Sequence, residues 1–123
     1  MKTIGEFYRE EVLPHKPLAK RQLPAQSDVI QIVRDLFGWR LYSGKAYMDC
    51  RSEDEARFLK VFLEAGMQEV KVPKDDKILQ AMVPKLEDLK KDIDEIIEEE
   101  SEGLLSRRLK EELRHRVWQE LAK

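Results

Sequence analysis

The sequence predicts an α+β domain: a small antiparallel sheet, made of a β-hairpin plus a third strand, backed by a helix and followed by a C-terminal helical hairpin. Three observations predict it. Apolar and polar residues alternate with period two on both sides of Ser43-Gly44. A capped amphipathic stretch follows from Ser52 to Gly66. Beyond Pro84, Leu86, Leu89, Ile93 and Ile96 recur at spacings of three and four.

The 123 residues suffice for one domain, divided here into an N-terminal short helix and Pro-rich arm (1–26), an α+β core (27–73) and a helical hairpin (74–123). Charged residues make up 39% of the chain, yet 23 Lys+Arg against 25 Asp+Glu leave a net charge of −2. That balance argues against nonspecific nucleic-acid binding by bulk charge but leaves local patches open. The chain has no Asn and a single Thr, Thr3, a composition compatible with a thermophile. The lone Cys50 excludes an internal disulfide and a multi-cysteine zinc site. The first residues carry no apolar signal core, and no apolar run reaches the length of a membrane span. The cytoplasm is the expected compartment, with no membrane partner.

Residues 3–13 read as a short helix, with Thr3 and Glu6 at capping-box spacing and Pro14 as its stop. Pro14, Pro17 and Pro24, interleaved with Lys16, Lys20 and Arg21, suggest an extended basic arm. Residues 27–37 read two ways. Val29, Ile30, Val33, Leu36 and Phe37 fall at helical spacing between Ser27 and Gly38, whereas the β-branched run Val29–Val33 suits a strand. Helix is the favoured assignment.

With Ser43-Gly44 as a two-residue turn, Tyr42 pairs with Lys45 and Leu41 with Ala46. One hairpin face is then Trp39, Leu41, Ala46, Met48 and Cys50, and the other Arg40, Tyr42, Lys45, Tyr47, Asp49 and Arg51. Ser52 and Glu55 cap the next helix, and Gly66 ends it. Met67–Val72 alternates as the third strand, closed by Pro73. Asp75 or Asp76 caps a short turn through Met82, and Pro84 opens a new helix. Ser101-Glu102-Gly103 interrupts the pattern before a last helix. The acidic end of the first long helix would lie near the basic start of the second.

The chemical inventory is thin. His15 and His115 have no His or Cys at ligand spacing, so no metal site is expected. Cys50 falls on the apolar hairpin face beside Met48, where a thiol is inert. The five glycines are scattered, giving no phosphate loop, and no cofactor is expected. Arg108 and His115 lie seven apart on one helix face, and this spacing resembles the Arg-His motif of HEPN ribonucleases. The resemblance covers those two residues and departs where a polar residue follows the family's Arg; here Leu109 follows. It implies RNA cleavage as a remote alternative. The hairpin and capped helix also resemble, in outline and without a diagnostic motif, the arm-binding domains of phage-type integrases.

Two binding surfaces follow. Arg40, Tyr42, Lys45, Tyr47 and Arg51 interleave cations with rings, with Lys20 and Arg21 nearby on the arm. Cations meet phosphates and tyrosines stack on bases, so DNA or RNA is the favoured partner of a non-enzymatic module. The rival surface is the apolar stripe Leu105, Leu109, Leu113, Val117, Trp118 and Leu121, which suits a protein partner or a homodimer through the C-terminal helices.

Overall fold

The computed structural model describes residues 2–101, with side chains as far as Ile97. The strands are β1 (Leu18–Gln22), β2 (Ile30–Asp35), β3 (Gly38–Ser43), β4 (Ala46–Cys50) and β5 (Glu69–Pro73). The helices are α1 (Ile4–Phe7), continued by a π-helical turn over Tyr8–Val12, then α2 (Glu53–Glu64) and α3 (Asp76–Ser101). The class is α+β: β2, β3 and β4 form an antiparallel sheet in that order, with α2 behind it.

The caps read from the sequence are in place. Thr3 Oγ1 accepts the Glu6 N–H at 3.0 Å, and Ser52 Oγ accepts the Glu55 N–H at 3.1 Å. Helix α2 ends where Gly66 takes φ +86° and the Met67 N–H reaches back to the Phe62 carbonyl. Asp75 is the cap of α3, its carboxylate accepting the Lys77 N–H at 2.9 Å.

The core lies between the three-stranded sheet, α2 and α3. Phe58, Leu59 and Phe62 of α2 are fully buried, as are Leu41 of β3 and Leu79, Val83 and Leu86 of α3. Each such side chain contributes roughly 1.5–3 kcal/mol by leaving water. Phe58 and Phe62 lie 4.9 Å apart, and Tyr8 meets Phe62 edge-on at 5.4 Å, which draws the N-terminal turn onto the same core.

Five expectations are corrected. The segment favoured as a helix over 27–37 holds strand β2. Its β-branched residues pair along β3, and Asp35-Leu36-Phe37-Gly38 makes the turn, with Asp35 Oδ1 accepting the Phe37 N–H at 2.8 Å. The Pro-rich arm contains β1, which pairs antiparallel with β5 as a separate two-stranded ribbon. The third strand of the main sheet is therefore β2, and the 69–73 strand belongs to the ribbon. The hairpin turns at Gly44-Lys45 and not at Ser43-Gly44: Ser43 faces Ala46, Tyr42 faces Tyr47 and Leu41 faces Met48. Gly44 supplies φ +62° at the first turn position. The register moves by two residues, which keeps Trp39–Tyr42 and Ala46–Cys50 on their expected faces and moves Lys45 into the turn.

Helix α3 also runs unbroken through Pro84. Pro84 and Gln80, whose carbonyl would have received the missing N–H, are both exposed, so water can satisfy that carbonyl. The second helix of the expected hairpin lies outside the described residues.

Candidate nucleic-acid interface

The face of the sheet turned away from α2 is open among the described residues, with Gln31, Val33, Tyr47 and Asp49 exposed on it. The register brings Gln31, Val33 and Asp35 of β2, Arg40 and Tyr42 of β3, and Tyr47 and Asp49 of β4 onto it. Leu41, Ile30, Ile32, Met48 and Cys50 point the other way, toward the core.

At the centre of the open face sits a cation–aromatic cluster. Tyr42 and Tyr47 are directly opposite across β3 and β4, with ring centroids 5.3 Å apart. The Arg40 guanidinium lies 4.7 Å from the Tyr47 ring centroid. Tyr47 remains 51% exposed, so its ring has a free surface. Arg40 Nε donates to Asp49 Oδ1 at 3.0 Å, and its NH1 lies 3.4 Å from Asp35 Oδ2. The Tyr42 side chain first, and then the Asp49 carboxylate, push the Arg40 pKa up, so the cation is permanent.

The other expected site residues fall elsewhere. Lys45 stands exposed in the β3–β4 turn. Arg51 points to the loop before α3: it pairs with Glu55 at 2.7 Å and donates to the Pro73 and Lys74 carbonyls. It is a clamp between segments and not part of the open face. Arg21 lies on the side of β1 shared with buried Val70, and its guanidinium donates to the Asp49 carbonyl beside Glu55. Lys20 projects from the ribbon beside Glu69, 3.4 Å away. The structure thus gathers Arg40, Tyr42 and Tyr47 and disperses Lys20, Arg21 and Arg51. Leu105, Leu109, Leu113, Val117, Trp118 and Leu121, with Arg108 and His115, lie outside the described residues.

The helix assignment for 27–37 hid a further set. Leu36 is 98% exposed and Phe37 91%, at the tip of the β2–β3 turn. Val29, just before β2, and Val33 within it are exposed as well. The signal was available in Asp35 and Gly38, residue types favoured at the first and fourth positions of a β-turn, between two β-rich runs.

Other chemistry is sparse. Among the described residues no group of three or more His, Cys, Asp and Glu side chains could hold a metal ion. Burial first, then Glu55, push the Cys50 thiol up to about 11. A charged groove between α2 and α3 is spanned by its own ion pairs, Arg57 with Glu87 and Lys90 with Glu64. No helix among the described residues is long and apolar enough to cross a membrane. Comparisons with protein-family models, curated proteins and solved structures return no match.

Proposed function

We propose that this protein is a non-enzymatic binding module that contacts single-stranded nucleic acid through the open face of its three-stranded sheet. The observation that carries the reading is the half-exposed Tyr47, packed at a tilt beside Tyr42 and overlain by Arg40. A flat sheet offering ring faces is a surface on which unpaired bases stack.

The charge around the cluster refines the reading. Arg40 and Lys45 are matched by Asp35 and Asp49 on the same sheet. Stacking, more than phosphate neutralisation, then carries the affinity, and binding weakens only gently with salt.

The test is a titration of labelled single-stranded DNA and RNA against the full chain, followed by anisotropy. Tyr47→Ala should weaken binding about tenfold or more, in line with roughly 1–3 kcal/mol per stacked base, and Tyr47→Phe should retain it. Tyr47 is exposed, so neither change threatens the fold. A wild-type chain with flat titrations at low salt overturns the proposal.

A further inference from the structure

We infer that β2 is the seam of a symmetric homodimer, in which two copies of the chain join their sheets edge to edge. The inference does not depend on the nucleic-acid reading.

The first observation is an unprotected edge. Strand β2 borders the sheet and has β3 on one side only. The Val29 carbonyl accepts the Gly44 N–H at 2.8 Å, so odd-numbered positions of β2 direct their backbone groups toward β3. Ile30, Ile32 and Arg34 direct theirs outward, where no strand among the described residues meets them. Edges of this kind are ordinarily guarded by Lys, Pro or a bulge. This one has no Lys or Pro, its two charges are drawn back onto β3, Arg34 over the Trp39 ring at 5.7 Å and Asp35 against Arg40, and its pairing with β3 is continuous from Ile30 to Asp35.

The second observation is where the exposed apolar residues fall. Six large hydrophobic side chains among the described residues are exposed, and four of them, Val29, Val33, Leu36 and Phe37, belong to β2 and its flanks. Val29 and Phe37 stand four positions before and four after Val33. That set is self-complementary about a twofold axis at Val33.

An antiparallel β2–β2 pair centred on Val33 satisfies both observations. Ile32 of one copy then faces Arg34 of the other, and these even positions are the ones whose backbone groups point outward to bond. Val33 meets its own copy at a non-hydrogen-bonded position, where side chains approach most closely. Gln31 faces Asp35, an amide beside a carboxylate. Continuing the register places Leu36 and Phe37 of each copy beyond the other's Ile30 and Val29, which covers the exposed tip. An isologous contact of this kind closes on itself and stops at two.

The full chain should sediment at twice 14.6 kDa. Val33→Lys sets two like charges across the axis and should restore the mass of one chain. In a Cys50→Ala background, Val33→Cys should form a disulfide-linked dimer on mild oxidation, because residues facing each other at such a position have Cα atoms about 4.5 Å apart. Lys45→Cys, an exposed thiol in the distant turn, should not do so. A wild-type chain that sediments as one copy across its soluble range overturns the inference. So does a dimer that neither Val33→Lys dissociates nor Val33→Cys cross-links.

Discussion

Arg51 Nε lies 2.7 Å from Glu55 Oε2, one helical turn away, and Glu55 Oε1 accepts the Arg51 backbone N–H at 3.0 Å. The Glu55 side chain is 2% exposed, while that of Arg51 keeps about a third of its surface in water. Glu55 therefore does not close the capping box onto Ser52. It holds the residue before the cap, and Arg51 in turn grips the β5–α3 loop through two carbonyls.

Removing that arginine leaves the buried Glu55 carboxylate with only the more distant Arg21 guanidinium, 3.9 Å away. Arg51→Ala should destabilise the fold by about 2 kcal/mol, below the roughly 3–5 kcal/mol of a fully buried pair because the arginine is partly solvated. The denaturation midpoint in urea should fall, while nucleic-acid binding by the folded fraction stays unchanged. Lost binding at full stability would return Arg51 to the interface.

Pro84 sits inside α3 without a backbone donor. Pro84→Ala restores the bond to Gln80 and relieves the ring's clash with the preceding turn. Stability should rise by about 1–3 kcal/mol, read by chemical denaturation. An unchanged or lower value would show that Pro84 itself helps seat Met82 and Val83 on the core.

The Cys50 thiol titrates from its ordinary 9.0 up to about 11 in the folded chain. Between those values the native state holds a proton that the unfolded chain has released. The stability linked to this group is complete below pH 9 and is lost as pH rises toward 11. Iodoacetamide should label the native protein slowly at pH 8 and the urea-unfolded chain quickly. Cys50→Ala should flatten the alkaline decline in stability.

Leu36 and Phe37 contribute almost nothing to the folded monomer, because water surrounds both. Leu36→Ser with Phe37→Ser should shift the unfolding free energy by about 0.5 kcal/mol or less at dilution. A melting temperature that falls by many degrees in dilute solution would reveal intrachain cover for the turn.

The hairpin was legible because alternation is a local signal and Gly44 marks the bend. Its faces survived a two-residue slip in register, so Arg40, Tyr42 and Tyr47 were correctly grouped. Strand β2 was not legible by spacing, since Val29, Val33, Leu36 and Phe37 fit a helical period by coincidence while water, not a core, meets them. Strand β1 was hidden by its flanking prolines and by its partner: Leu18 faces Pro73, far along the chain. The misplacement of Arg21 and Arg51 has the same origin. Their acceptors include the Asp49 carbonyl and the Pro73 and Lys74 carbonyls, which only tertiary folding brings near.

The ribbon of β1 and β5 has a consequence for the order of assembly. One half is made early in synthesis and the other only after the hairpin and α2 have been completed. Local pairings close quickly, whereas this one must wait for a large loop to be drawn shut. On the ribosome the segment Leu18–Gln22 therefore stays single until Glu69 and the residues after it have emerged from the exit tunnel. A nascent chain halted before that point would present a naked strand to chaperones, and release of a few more residues would fasten it.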